Sequence, residues 1–222
     1  MSRAFVKLHT GKRFYFDDIM ANEVDIEDIA CGLSHQCRYG GQMGNIDDYY
    51  TVAEHSVYVS LKVEEELRNI NNECKSLDPN FDNPTYLEEE IRVLSLCGLL
   101  HDATEGIGMC DMVSPLKKLD KFYKAKEQEV EAFFAKRFKT PYPFPRIIKA
   151  TDLRMFACEY PQIFPDDAEN VEPFNIVTIP HDGTWDDVLA DSHPYPELKL
   201  KFLGPRKAFN FFMKRFVALG GR

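Results

Sequence analysis

An apolar run that ends in adjacent polar residues of metal-ligand type is the most restrictive feature of this sequence. From Ile91 the chain reads IRVLSLCGLLHDATE, so that leucines lead directly into His101 and Asp102. Apolar residues on nearly all sides predict a central, buried helix. Burying the charge of an aspartate there is unfavourable unless that charge is paired or binds a metal ion. The run therefore predicts a helical core and requires partners for its polar end.

Two other predicted helices carry a polar residue on an apolar face. His55 lies on the stripe of a helix over 51–68, and Asp152 lies among the apolar residues of a helix over 145–160. Each alone has an ordinary alternative, a hydrogen-bonded core histidine or a core salt bridge. Taken together, two imidazoles and two carboxylates suit a divalent ion such as Mn, Fe, Co, Ni or Zn. We predict that the metal ligands are His55, His101, Asp102 and Asp152.

The remaining periodicity predicts an all-α bundle in one domain spanning residues 1–222. Further helices are expected over 24–33, 87–104, 119–138 and 205–219, and partial alternation over 5–16 allows a small N-terminal β-hairpin. The last helix, rich in phenylalanine, is expected to pack on the bundle, or alternatively to face a partner subunit. We divide the chain into a core at about 24–160, a polar insertion at 69–86 and a C-terminal extension at 161–222.

Charge and cysteine usage exclude several classes of function. The net charge is -9, with 27 basic and 36 acidic residues, which disfavours binding to polymeric nucleic acid or to an anionic membrane. No apolar run approaches the roughly 18 residues of a membrane span. The N-terminal segment lacks the apolar core of a signal peptide. Six scattered cysteines without a CxxC pair are expected to be reduced thiols, which predicts a cytoplasmic protein.

Residues outside the four predicted ligands could bind an anionic substrate. Arg38 and Tyr39 precede two glycines, where an arginine could clamp a phosphate and a tyrosine could stack on a base. A surface arginine and a packing tyrosine are the alternative. Lys117 and Lys118 stand at a predicted helix start, which the macrodipole disfavours unless an anion docks nearby, although ordinary solvated lysines fit as well.

The motifs, taken in order, resemble the HD-domain metal-dependent phosphohydrolases. They are VAEHS at 52–56, LLHDATE at 99–105, a D-x-x-x-P-x-K pattern from Asp111 to Lys117, and KATDL at 149–153. Within that superfamily the sequence is most similar to phage dATP triphosphohydrolases and bacterial 5'-deoxynucleotidases. The resemblance implies an HD-domain helical bundle with a divalent ion (Co, Mn, Zn, Ni, Fe or Mg) on the four predicted ligands.

The resemblance also implies roles for other residues. Glu105 would be the catalytic carboxylate and Asp111 a supporting one, while Arg38, with the two lysines, would hold phosphate. Bacterial deoxynucleotidases carry tryptophan where Tyr39 stands, which leaves the preferred base open. In the implied mechanism, water attacks the α-phosphorus in line and Glu105 relays a proton to the leaving 5'-oxygen.

The expected substrate is dATP, hydrolysed to deoxyadenosine and triphosphate in a phage-type nucleotide pathway in the host cytoplasm. A homo-oligomer is expected from the same resemblance. One alternative is a 5'-deoxynucleotidase that releases phosphate from deoxynucleoside monophosphates, and another is a non-catalytic domain that binds nucleotide. A cyclic-nucleotide phosphodiesterase or (p)ppGpp hydrolase is disfavoured, because the extra ligand histidines or the nucleotide motif of those enzymes are missing.

Overall fold

The chain folds into helices and one small β-hairpin in the computed structural model, which describes residues 3–77, 84–110, 120–170, 195 and 197–221. Within that part, the strands are β1 (Val6–Lys7) and β2 (Arg13–Phe14). The helices are α1 (Ile26–His35), α2 (Val52–Leu77), α3 (Glu88–Leu100), α4 (Lys121–Phe138), α5 (Arg146–Ile163) and α6 (Pro205–Ala218). The predicted helical class and the N-terminal hairpin are therefore both confirmed.

The hairpin closes one side of the apolar core. Its strands pair antiparallel with Val6 opposite Phe14, and Gly11 adopts a positive φ of 90° in the connecting turn. Phe14 is fully buried, and its ring packs edge-on against Phe133 of α4. An aromatic side chain of this size explains why so short a hairpin is held in place.

Helices α2 and α3 pack closely enough to bring their polar residues together. A Cβ added to Gly98 on α3 would lie 3.0 Å from the Cα of Ser60 on α2, a very tight contact, so the glycine favours this close approach. The hydroxyl of Ser60 donates to the carbonyl oxygen of Ser95 on α3 at 2.7 Å and accepts from Nε of Arg215 on α6 at 2.8 Å. The apolar end of α3 is therefore fixed against the helix that carries His55.

Helix α2 extends to Leu77, so the predicted polar insertion begins as helix and not as a loop at residue 69. Ile70 remains buried in this extension. Asn71 then uses its side-chain amide to bond both backbone groups of Tyr86, at 2.8 and 2.9 Å. These contacts stabilise a helical turn that the polar composition alone does not predict.

Helix α3 ends at Leu100, earlier than predicted, and His101 and Asp102 lie in the turn that follows. A short 3₁₀ segment, Glu105–Ile107, comes next. This turn packs against α1 through two glycines: a Cβ on Gly106 would lie 2.7 Å from the carbonyl oxygen of Ile29, and a Cβ on Gly32 would lie 1.8 Å from the carbonyl oxygen of Gly106. Gly108, which follows the 3₁₀ segment, adopts the left-handed conformation with a φ of 106°.

Helix α6 packs on the bundle, as predicted. Phe212 and Phe216 are buried, and Phe209 and Phe211 are partly buried against the same core. The phenylalanines of this helix therefore face the chain's own interior. In the described residues, no helix combines the length and the apolar character that a membrane crossing requires.

Candidate metal centre

Three of the predicted metal ligands converge from three helical elements. His55 lies on α2, His101 follows the last residue of α3, and Asp152 lies on α5. The two imidazole Nε2 atoms are 3.2 Å apart. Asp152 Oδ1 lies 3.2 Å from Nε2 of His55 and 3.8 Å from Nε2 of His101. The ligand atoms of these three residues lie within 4.8 Å of one another.

Asp102, the fourth predicted ligand, lies beside both imidazoles. Its Oδ2 is 3.2 Å from Nε2 of His101 and 3.7 Å from Nε2 of His55. Burial opposes ionisation of this carboxyl, but His101 outweighs burial and holds the pKa of Asp102 well below its usual value. The carboxylate therefore carries its charge at neutral pH and is available as a metal ligand.

The spacing of these atoms fits a divalent ion. Two nitrogens that each lie roughly 2.1 Å from one ion are about 3.0–3.4 Å apart in octahedral or tetrahedral geometry. The observed separation of 3.2 Å falls within that range. Two imidazole nitrogens with carboxylate oxygens also form the donor set that borderline divalent ions prefer. The cluster could therefore hold a metal ion, and it is compatible with an HD-type domain.

Hydrogen bonds on the far side of each ring orient the two histidines. Nδ1 of His101 lies 2.9 Å from the carbonyl oxygen of Gly98. Because a carbonyl only accepts, Nδ1 donates, so that in the neutral ring the lone pair belongs to Nε2, which faces the cluster. Nδ1 of His55 lies 2.5 Å from Oε1 of Glu159, which orients that ring in the same way.

Glu159 is a residue of this centre that the sequence analysis missed. It is fully buried on α5, and it accepts hydrogen bonds from the hydroxyls of Tyr50 at 2.7 Å and Tyr39 at 3.2 Å. Burial would raise the pKa of Glu159, but Arg38 and His55 lower it to about 2. Its position seven residues after Asp152 is two helical turns along, and this spacing was the available signal.

Arg38 and Tyr39 lie directly behind the cluster. The Arg38 side chain is only 12% exposed, with its guanidinium 3.2 Å from Glu159 Oε2 and 3.6 Å from Asp102 Oδ2. The Tyr39 ring packs against those of Phe156 and Phe164, with centroids 5.7 Å away in each case. Both side chains thus contact protein groups, and their binding to substrate stays a prediction.

The predicted catalytic carboxylate, Glu105, is buried in the turn after Asp102. Its backbone N–H donates to the Asp102 carbonyl at 3.0 Å, and its own carbonyl accepts from the Gln36 amide. This turn is therefore tied to the metal-ligand pair and to the end of α1. Three further predicted site residues lie outside the described part of the chain: Asp111, Lys117 and Lys118.

A cavity of about 180 Å³ opens beside the cluster. It is lined by three of the predicted ligands, by two glutamates of α4, and by residues at the start of α5: His101, Asp102, Asp152, Glu127, Glu131, Phe144, Pro145, Ile148 and Lys149. Lys149 is 70% exposed, and its Nζ lies 2.6 Å from Asp152 Oδ2. A small molecule in this cavity would contact a metal ligand and a cation together.

Comparison with known proteins shows the family of this chain. No protein-family model matches it. Over 169 residues it is 34% identical to "Uncharacterized protein RCAP_rcc00048" of Rhodobacter capsulatus, which covers 73% of this chain and 74% of that protein. The chain belongs to the family of that Rhodobacter protein.

The chain is also similar to "Uncharacterized protein YfdR" of Escherichia coli strain K12. It is 28% identical over 213 residues, covering 96% of this chain and 94% of the Escherichia protein. Neither name states an activity.

We predict that metal affinity rises with pH. Burial would lower the pKa of His101, but Asp102 and Asp152 raise it to about 10. At neutral pH the metal-free protein therefore binds a proton at the imidazole that the ion needs, and ion and proton compete. Below the raised pKa, affinity should rise about tenfold per pH unit for each proton displaced.

Calorimetric titration with Mn²⁺ between about pH 6 and pH 8, in buffers of different ionisation enthalpy, measures both affinity and proton release. An affinity that does not change over this interval, with no proton released, contradicts the prediction.

Proposed function

We propose that this protein is a divalent-metal-dependent phosphohydrolase of the HD type that acts on deoxynucleotides. The observation that carries the proposal is the convergence of His55, His101 and Asp152 beside a small-molecule cavity. A divalent ion bound by such a set supplies Lewis-acid activation of water and of a phosphoryl oxygen. The motif resemblance, with the catalytic-type Glu105 one turn beyond Asp102, favours hydrolysis over simple binding.

The proposed reaction is hydrolysis of dATP to deoxyadenosine and triphosphate. In it, Glu105 transfers a proton to the leaving 5'-oxygen. Lys149, an exposed residue that lines the cavity, contributes positive charge next to Asp152, where the phosphate would bind. We also propose that the protein acts in the cytoplasm as a homo-oligomer, as the resemblance suggests.

Release of phosphate from deoxynucleoside monophosphates is the second candidate, and the charge of the cavity favours it. Glu127 and Glu131 line the cavity together with the metal ligands. In the part of the cavity wall that the structure describes, Lys149 is the one lysine or arginine. Two carboxylates repel each added negative charge of a polyphosphate. A monophosphate avoids most of that repulsion.

A screen of all dNTPs and dNMPs against several divalent ions tests the proposal. Metal-stripped protein should be inactive, and added Mn²⁺ or Co²⁺ should restore hydrolysis. Triphosphate released from dATP supports the first substrate, and inorganic phosphate released from a dNMP supports the second. A protein that binds metal and nucleotide but releases neither product is a binding domain, and the enzymatic proposal is then wrong.

A further inference from the structure

We infer that Glu159 is the positioning residue of the metal centre, and that it orients His55 toward the ion and holds Arg38 and Tyr39 in place behind it. The inference rests on the metal-dependent function proposed above, since it assigns a role toward the same ion. Glu159 is fully buried, with four polar partners within 3.2 Å. Its contact with the cluster runs through the far side of the His55 ring.

The contact with His55 decides which ring nitrogen faces the ion. A neutral imidazole carries its proton on either Nδ1 or Nε2, and only the nitrogen without a proton can bind a metal. An ionised carboxylate only accepts hydrogen bonds, so Nδ1 must donate to Glu159 across the 2.5 Å contact. Nε2 then keeps its lone pair, and this atom lies 3.2 Å from both His101 Nε2 and Asp152 Oδ1.

The other partners make a fully buried carboxylate tolerable at this position. An isolated buried charge is very unfavourable, and it requires both a counter-charge and hydrogen bonds. Arg38 supplies the charge, and the hydroxyls of Tyr50 and Tyr39 supply the hydrogen bonds. Because Arg38 also lies 3.6 Å from Asp102, one network joins His55, Glu159 and Asp102. Substitutions at Arg38 should therefore change metal affinity as well as any binding of substrate.

A second buried glutamate provides a matched control. Glu54 precedes His55 on α2 and is equally buried, but its carboxylate accepts from the backbone of Lys201 and Leu203, at 2.8 and 2.7 Å, and from Tyr58 at 3.0 Å. It therefore anchors the chain that leads into α6. Glu54→Gln disturbs a buried carboxylate of similar surroundings without touching the network behind His55.

The test is a calorimetric titration of Mn²⁺ into metal-stripped protein in the absence of substrate. Glu159→Gln should weaken binding about 10- to 100-fold, the usual effect of losing a group that orients a metal ligand. Glu54→Gln should bind within about twofold of the wild type, even if it is less stable. Tyr50→Phe, which removes one hydrogen bond to Glu159, should weaken binding by less than Glu159→Gln does. Tyr58→Phe, which removes a hydrogen bond to Glu54, should leave Mn²⁺ affinity unchanged.

A spectroscopic measurement separates orientation of the ring from general stability. In the Zn²⁺-loaded wild type, the imidazole NMR spectrum should show a slowly exchanging proton on Nδ1 of His55, and this signal should weaken in Glu159→Gln. If that variant does not fold, the wild-type spectrum and Tyr50→Phe still decide the matter.

Several results would overturn the inference: unchanged Mn²⁺ affinity in Glu159→Gln, a His55 proton on Nε2, or a wild type that binds no divalent ion. A wild type that binds Mn²⁺ through the Glu159 network but hydrolyses no deoxynucleotide supports the inference while the proposed activity fails.

Discussion

Asp152→Asn should remove nearly all metal-dependent hydrolysis, with a fall of about a thousand-fold, or about 4 kcal/mol of transition-state stabilisation. Asp152 Oδ1 lies 3.2 Å from Nε2 of His55 and 3.8 Å from Nε2 of His101, so it is placed to bind the same ion as both imidazoles. The amide keeps the shape of the side chain but lacks the charge that attracts a divalent ion. It also ends the ion pair with Lys149. We expect Mn²⁺ affinity to fall more than about a hundredfold, because a direct ligand is lost.

The control for Asp152→Asn is a variant that makes the same change in charge outside the site. Asp166 is an exposed aspartate in the 3₁₀ segment that follows α5, so Asp166→Asn serves this purpose. Metal affinity by calorimetry and product release with the best deoxynucleotide are measured for both variants. Retained affinity and retained activity in Asp152→Asn would show that the cluster is not the metal centre.

The sequence predicted the helices well and their ends less well. Apolar periodicity depends on which face of a helix is buried, and this pattern extends over many residues. The end of a helix depends on a few local contacts. Helix α2 continues to Leu77 because Asn71 bonds the backbone of Tyr86, and α3 stops at Leu100 where the turn packs on α1 through Gly32 and Gly106. Neither contact can be predicted from local composition.

The metal ligands could be predicted because each is unfavourable where it stands unless it has a partner. His55 and Asp152 lie on apolar faces, and the structure brings them to His101, so the prediction that these three could hold a metal is confirmed. Glu159 has the same character, since it lies two helical turns beyond Asp152 in the same helix. A spacing of seven residues places Glu159 on the same face of α5 as Asp152, and this spacing is the signal in the sequence.

The roles of Arg38 and Tyr39 show what residue types cannot decide. An arginine beside an aromatic residue suits a phosphate and a base, but it suits a buried carboxylate equally. The carboxylate in question is Glu159, separated from Tyr39 by 120 positions in the chain. Only the packing of α5 against the segment after α1 brings these side chains together. Binding of substrate by Arg38 and Tyr39 remains a prediction.

Glu105→Gln should lower the rate of hydrolysis about 10²- to 10⁴-fold while metal binding is preserved. The reason is chemical, because glutamine cannot accept and release the proton that the leaving 5'-oxygen requires. The substitution keeps the size of a buried side chain. It also leaves the backbone bonds from Gln36 and to Asp102 intact, so the turn that carries His101 and Asp102 should not move.

Two measurements on the same protein preparation separate a chemical role for Glu105 from a role in building the site. Mn²⁺ affinity should equal that of the wild type, and the rate of product release at saturating deoxynucleotide should fall. Glu54→Gln again serves as the control for changing a buried glutamate, and it should retain the wild-type rate. If Glu105→Gln hydrolyses deoxynucleotides at the wild-type rate, proton transfer does not pass through this residue. If it loses metal and activity together, Glu105 stabilises the His101–Asp102 turn and takes no part in the chemistry.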